Sequence, residues 1–254
     1  MKRFLCTNDD GILAHGLECL VEATAPLGEV TVVAPDREQS ATSHSLTLHH
    51  PVRPVVRGPR RYQVDGTPTD CVMLAVEALM EGRPDFVLSG VNHGQNMGED
   101  VLYSGTVAAA MEGISLGIPS IAISFAGGDL RADPALLSAQ VAPLRALIGH
   151  LTSLPSFPRD TLLNVNMPPL PGGEIKGVRL TTLGRRVYSD SLMRMRDPWG
   201  REIFWIGGGQ AEWSGREDSD FMAVRDGYIS VTPLHLDLTH YKLLDQVQSW
   251  WRDL

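Results

Sequence analysis

Two adjacent carboxylates near the start of the chain are the side chains best suited to chemistry. Asp9 and Asp10 follow a short apolar stretch, residues 4–6, and precede Gly11. Carboxylates held side by side repel each other, and a shared proton or a bound cation relieves that repulsion. Because no cysteines or histidines cluster beside them, the cation expected is Mg²⁺ or Mn²⁺. The Asn-Asp-Asp-Gly string is also favourable turn chemistry, so on its own it favours neither interpretation.

A second stretch, residues 90–106, is rich in glycine and carries Asn92 and Asn96. A loop this long inside a compact sheet is usually functional or disordered. Ser104, Gly105 and Thr106 lie where the following helix is predicted to begin, so unpaired backbone N–H groups and hydroxyls there favour an anion such as phosphate. The alternative is an ordinary Ser or Thr helix cap.

A third stretch, residues 36–50, is polar and rich in hydroxyl groups, among them that of Ser40. It follows a predicted strand and lies beside the first loop. It therefore either adds side-chain oxygens to the Asp9–Asp10 site or is a plain solvated loop.

The elements around these loops alternate between strands and helices. Strands are predicted at short apolar, β-branched runs, and helices where apolar residues recur at helical spacing. The predicted strands cover residues 3–6, 30–34, 62–64, 85–89, 120–124 and 161–166, and the predicted helices cover residues 16–25, 68–80, 107–116 and 134–150. This alternation predicts an α/β fold with a doubly wound, mostly parallel sheet and helices on both faces. In such a sheet ligands bind at the carboxyl ends of the strands, where all three stretches lie.

The regular alternation of predicted strands and helices ends at about residue 168. We therefore divide the chain into a core, residues 1–168, and a C-terminal region, residues 169–254. A proline- and glycine-rich linker is followed by short β-like pieces over residues 178–182, 185–188, 203–206 and 228–232, and by an amphipathic helix over residues 241–251. The pieces predict an antiparallel hairpin region. Two arginines and two tryptophans that lie among them are Arg194, Arg196, Trp199 and Trp205. These residue types are favoured at interfaces, which suggests contacts between copies, with local packing as the alternative.

Composition excludes several classes of protein. The 254 residues are 43% hydrophobic and 20% charged, as in ordinary globular proteins. A formal charge of −8 argues against binding to a nucleic-acid polymer. The absence of a long apolar run and the early polar residues predict neither a membrane span nor a signal peptide. Cys6, Cys19 and Cys71 lack metal-ligand spacing, so we expect buried thiols in a cytoplasmic protein.

Together these stretches resemble the SurE family of survival proteins with nucleotidase activity. The matching motifs in the first half of the chain are residues 7–11 with Gly16, residues 33–35 with Ser40, and residues 65–72. The long loop matches from residue 89 to Asn96, and it is followed by matches at residues 103–107 and 111–113. The resemblance is close over residues 1–125 and holds in outline beyond them. The ordered combination is specific, although each piece alone is weak.

The resemblance implies a Rossmann-like core with a C-terminal β-hairpin extension that is swapped between subunits. It implies one divalent metal ion held by Asp9, Asp10, Ser40 and Asn92, and a phosphate site at Asn96, Ser104, Gly105 and Thr106. Members of the family hydrolyse nucleoside 5′- and 3′-monophosphates, and some also hydrolyse short polyphosphate. They form homodimers and often homotetramers.

We therefore predict metal-assisted hydrolysis of phosphomonoesters. Asp9 and Asp10 serve first as metal ligands. One of them, Asp10 by a narrow preference, also orients the water as a base or attacks phosphorus directly. His15, His44 and His93 lie near the loops, but we interpret each as structural.

Three other families fit less well. A haloacid-dehalogenase-type phosphatase needs Asp-x-Asp after the first strand, and a dinucleotide-binding enzyme needs Gly-x-Gly-x-x-Gly there. A receiver domain needs a third Asp two strands later and a Lys near the end of the sheet, but no lysine lies between Lys2 and Lys176, and the chain is about twice too long. A non-catalytic regulator that binds metal and nucleotide remains the alternative from another class.

Overall fold

The computed structural model describes residues 1–127, 134–158, 160–188, 192–206 and 211–251. The strands are β1 (Lys2–Thr7), β2 (Gly28–Pro35), β3 (Pro54–Gly58), β4 (Arg61–Val64), β5 (Phe86–His93), β6 (Ser120–Phe125), β7 (Thr161–Met167), β8 (Val178–Leu180), β9 (Arg185–Tyr188), β10 (Leu192–Arg196), β11 (Glu202–Ile206), β12 (Ala211–Ser214) and β13 (Ile229–His235). The helices are α1 (His15–Thr24), α2 (Pro68–Leu74), α3 (Gly105–Ser115), α4 (Pro134–Ser138), α5 (Val141–Ser153), α6 (Asp220–Arg225) and α7 (Leu244–Ser249). None of the helices in these ranges is long and apolar enough to cross a membrane.

A nine-stranded sheet with the order β3-β4-β2-β1-β5-β6-β7-β13-β8 forms the centre of the fold. Strand β1 pairs in parallel with β2 on one side and with β5 on the other, so the loops after β1 and β5 leave the same edge side by side. Apolar residues such as Phe4 and Leu5 of β1, Val33 of β2 and Val87 of β5 are buried, because both faces of the sheet are covered. The predicted α/β fold with a mostly parallel sheet is confirmed.

Helices cover both faces of the sheet. On one face Leu17 and Leu20 of α1 pack in the same core cluster as Leu144 of α5. On the other face Val72 of α2 and Ala109 of α3 belong to a second cluster. The three thiols, Cys6, Cys19 and Cys71, are buried and form no disulfide, as the sequence predicted.

The C-terminal strands divide between the central sheet and separate ribbons. We predicted residues 228–232 as part of a hairpin region, but β13 lies in the central sheet, antiparallel to β7 and parallel to β8. Its alternating pattern explains the position, because Ile229 and Val231 are buried in the core while the hydroxyls of Ser230 and Thr232 hydrogen bond to Thr181. The pairs β10–β11 and β9–β12 form two-stranded antiparallel ribbons outside the central sheet.

A segment that we predicted as one helix forms two helices in the structure. Residues 134–150 were expected to form a single helix, but α4 ends at Ser138 and α5 begins at Val141. The buried side chain of Gln140 donates to the carbonyl oxygens of Pro168 and Leu170, each at 2.6 Å. These bonds tie the break between the helices to the end of β7. The helix predicted over residues 107–116 begins earlier, at Gly105.

Candidate active site

The loop after β1 is closed by Asn8, and the side chains of the two aspartates make their contacts with other elements. The Asn8 Nδ2 donates to the carbonyl oxygen of Gly11 at 2.9 Å, and its Oδ1 accepts from the Gly11 N–H at 3.2 Å. Gly11 has a φ of +100°, a conformation that favours glycine. Asn8 and Gly11 therefore form the turn that the Asn-Asp-Asp-Gly string predicted.

Asp9 is buried and is held by the start of α3. Its Oδ1 accepts from the Thr106 hydroxyl at 2.6 Å and its Oδ2 accepts from the Thr106 N–H at 3.0 Å. Burial, and then the charge of Asp10, raise the pKa of Asp9 to about 6, against the two bonds from Thr106, which lower it. A Cβ on Gly105 would lie 2.8 Å from the Asp9 Cβ, so only glycine permits this approach.

Asp10 is held by the end of β5. Its Oδ2 accepts from the backbone N–H of His93 at 3.0 Å, and its Oδ1 lies 3.6 Å from the His93 Nδ1. The side chain of Asp10 is 7% exposed. The two carboxylates are thus fixed by different elements, Asp9 by α3 and Asp10 by β5.

Ser40 and Asn92 supply neutral oxygens beside the carboxylates. The N–H of Gln39 donates to the carbonyl oxygen of Asp9 at 2.7 Å, which ties the 36–50 loop to the first loop. Asn92 Nδ2 donates to the carbonyl oxygen of Gly94 at 2.9 Å, which leaves its amide oxygen as a possible ligand. The hydroxyl of Ser40 donates to Glu38 at 2.9 Å and keeps its lone pairs for a cation.

The chemistry of this donor set suits a hard divalent cation. Within the described residues no three His, Cys, Asp or Glu side chains lie together as metal ligands. A metal ion at this edge would therefore combine the two aspartates with hydroxyl and amide oxygens. Such an all-oxygen set fits Mg²⁺ or Mn²⁺ and does not fit a thiolate or imidazole metal.

A cavity of about 720 Å³ opens at this edge of the sheet. Five of the eight predicted site residues line it, namely Asp9, Ser40, Asn92, Asn96 and Ser104. Asp10, Gly105 and Thr106 adjoin it through the contacts described above. The cavity is also lined by residues that we did not predict for the site, among them His93, Asp100, Tyr103 and Arg186.

The start of α3 is a serine helix cap, which is one of the two interpretations that its sequence allowed. Ser104 is the helix cap, since its Oγ accepts from the N–H of Val107 at 3.0 Å, and its hydroxyl proton is left to donate. Thr106 uses both of its donors on Asp9, so in this arrangement it orients the carboxylate and has no donor directed at a phosphate. Asn96 is fixed by buried polar groups, since its Nδ2 donates to the Ser124 hydroxyl at 2.8 Å and its backbone N–H donates to the Asn166 Oδ1 at 2.9 Å.

The other two histidines that we considered bind elsewhere. His44 pairs with Glu112 at 2.9 Å, and His15 lies 3.1 Å from the Ser138 hydroxyl. Of the three, His93 is the one that lines the cavity, next to Asp10.

Comparisons with known proteins agree over nearly the whole chain. A family model described as Survival protein SurE matches residues 4–190. The 5′-nucleotidase SurE of Gemmatimonas aurantiaca is 72% identical over 251 residues, which is 99% of each chain. The 5′-nucleotidase SurE of Alkalilimnicola ehrlichii is 50% identical over 250 residues, or 98% of this chain and 95% of the relative. The crystal structure of the SurE protein from Aquifex aeolicus matches with a TM-score of 0.85 and 43% identity, covering 98% of this chain and 99% of that chain.

Proposed function

The chain belongs to the SurE family, and on that premise we propose that it is a metal-dependent 5′-nucleotidase. It would hydrolyse nucleoside 5′-monophosphates to nucleoside and phosphate. The observation that carries the proposal is the cavity that Asp9, Ser40 and Asn92 line together with the helix cap Ser104. The relatives named 5′-nucleotidase, at up to 72% identity, support the reaction class.

We assign one Mg²⁺ or Mn²⁺ ion to Asp9, Asp10, Ser40 and Asn92. The support is the oxygen donor set, together with the raised pKa of Asp9, to which the charge of Asp10 contributes. A cation between the two carboxylates would favour their charged forms and offset that repulsion. When bound, the ion would polarise a phosphate oxygen and lower the pKa of a bound water.

The remaining roles follow from how the side chains are held. Thr106 keeps the Asp9 carboxylate in place with two hydrogen bonds. The Ser104 hydroxyl and the Gly105 amide, at a helix start that favours anions, would bind the phosphate oxygens with Asn96 nearby. Asp10, which lies beside His93, is our assignment for the group that orients the attacking water or attacks phosphorus.

The same site would accept nucleoside 3′-monophosphates and short polyphosphate, because its contacts are to phosphate oxygens. We further propose that residues 169–254 assemble the chain as a homodimer or homotetramer. The support is the β10–β11 ribbon, on which Trp205 is 64% exposed and Ile206 is 88% exposed. Sedimentation should show a dimer or tetramer, and a monomer at all concentrations would contradict this assignment.

Phosphate release from a panel of nucleoside 5′- and 3′-monophosphates tests the proposal. We expect release that stops with EDTA and returns with Mg²⁺ or Mn²⁺. Asp9→Asn and Asp10→Asn should lower the rate by orders of magnitude in a folded protein, while the exposed control Asp218→Asn should retain it. Full activity of both site variants under strict metal control would refute the assignment. Tight metal binding without any release would favour the non-catalytic regulator.

A further inference from the structure

One buried acidic side chain outside the cavity joins three segments of the chain. Asp220, the first residue of α6, is 0% exposed. Its Oδ2 accepts from the N–H of Gly98 at 2.8 Å, and its Oδ1 accepts from the N–H of Gly184 at 2.9 Å and of Phe221 at 2.8 Å. Burial raises the pKa of Asp220, and the three amides act in the opposite direction by stabilising the charged form. An Asn side chain cannot replace it, because its NH₂ group would face an N–H donor.

Two of those amides belong to segments that line the cavity. Gly98 lies in the loop between Asn96 and Ser104, and Gly184 precedes Arg186 on β9. Gly98 has a φ of +54°, and a Cβ on it would lie 2.8 Å from the carbonyl oxygen of Gly184. The loop and the strand therefore meet backbone to backbone, with the Asp220 carboxylate bridging them.

Two acidic residues of the same loop also bind β9, at a position nearer the cavity. Glu99 Oε2 accepts from the backbone N–H of Arg186 at 2.7 Å, and Asp100 Oδ2 accepts from the Arg186 Nη1 at 2.5 Å. The guanidinium of Arg186 also lies 5.4 Å from the ring of Trp213. Asp100 and Arg186 both line the cavity, so this wall is built jointly by the loop and by β9.

We propose that Asp220 is a positioning residue of the active site, which fixes the loop carrying Ser104 against the strand carrying Arg186. This inference rests on the proposed function for its kinetic consequence. The proposed metal ligands lie on other elements, and the two carboxylates among them are held by Thr106 and His93. Loss of the Asp220 bridge should therefore weaken the binding of nucleotide more than the binding of metal.

The test compares Asp220→Asn with Asp218→Asn, a nearby aspartate that is 46% exposed and binds the side chain of Arg216. For adenosine 5′-monophosphate we expect Asp220→Asn to raise KM about tenfold, with a smaller fall in kcat, since a hydrogen bond to a charged group is lost. The dissociation constant for Mn²⁺ should stay unchanged, as should every parameter of Asp218→Asn. An unchanged KM would overturn the proposal. So would a fall in Mn²⁺ affinity and in kcat as large as the rise in KM.

Two further measurements keep the inference testable by itself. Amide hydrogen exchange at Gly98 and Gly184 should be faster in Asp220→Asn than in the wild type, and unchanged exchange would overturn the positioning role even if no nucleotide is hydrolysed. If Asp220→Asn does not fold, Gly98→Ala separates the same two segments while it keeps the carboxylate. That variant should show the same rise in KM, and a wild-type KM would refute the inference.

Discussion

Replacing Asp9 by Asn is expected to remove a pH-dependent loss of stability from the metal-free protein. The pKa of Asp9 is raised from 3.8 to about 6 by burial and by the charge of Asp10. Because the folded pKa lies above the unfolded one, the stability contribution is fully present below pH ~4 and is lost as the pH rises through 6. This difference between the folded and unfolded pKa of the buried Asp9 corresponds to ~3 kcal/mol of stability.

Urea unfolding of both proteins in EDTA, at pH 5 and at pH 8, measures this contribution. About half of the titration falls in that interval, so the stability difference between the wild type and Asp9→Asn should change by ~1.4 kcal/mol, with the wild type losing more as the pH rises. Titrating groups that do not interact with Asp9 cancel in this difference. Asp10→Asn should keep a reduced part of the effect, because burial, the larger cause of the shift, remains.

A difference between wild type and Asp9→Asn that does not vary with pH would refute the reasoning. It would mean that Asp9 titrates alike in the folded and unfolded chains, and that the metal-free site carries no electrostatic strain. Addition of Mn²⁺ should stabilise the wild type and not Asp9→Asn, since binding to the folded state alone shifts the equilibrium.

Gly105→Ala should lower the rate of phosphate release by about 100-fold, because the new Cβ displaces Asp9, whereas Gly149→Ala, whose Cβ would make an ordinary 3.5 Å contact, should leave it unchanged. Equal rates in the two variants would contradict the close approach of α3 to Asp9. Thr106→Val should weaken Mn²⁺ binding about tenfold or more, and Thr106→Ser, which retains the hydroxyl, should restore it. Titration calorimetry decides, and equal affinities would show that this hydroxyl does not support the site. Burial raises the pKa of the Cys6 thiol to about 12, so a thiol reagent should not modify it in the native protein; rapid labelling without unfolding would be inconsistent with the fold.

The part of the site that could be predicted from sequence is the part that sheet topology determines. Alternating strands and helices predict a parallel sheet, and adjacent parallel strands bring their carboxyl ends together. That argument places Asp9 and Asp10 beside Asn92, and the structure confirms that β1 and β5 are neighbours. The position of Ser104 at the start of a helix was likewise encoded locally, by the residues of the cap itself.

The contacts between distant segments could not be predicted in this way. Asp220 binds Gly98 across 122 residues, and neither residue carries a local signal of the other. Arg186 reaches the cavity from a region that we assigned to interfaces by composition alone. The donors of Thr106 are directed at Asp9 because Gly105 lets the Asp9 side chain lie close against the start of α3. No pattern of residue types specifies such a close contact. Contacts of this kind can be recognised only when the relative positions of the two segments in the fold are known.

The position of β13 in the sheet also constrains how the chain can be cut or synthesised. Strand β7 pairs antiparallel with β13 over residues 161–166 and 230–235. A fragment ending at residue 168 would leave one side of β7 as an open edge of unpaired backbone groups, which is a template for aggregation. During translation this edge stays open until residue 235 has left the ribosome. Once β13 has paired with β7, this edge can no longer pair with another chain, and the sheet is complete.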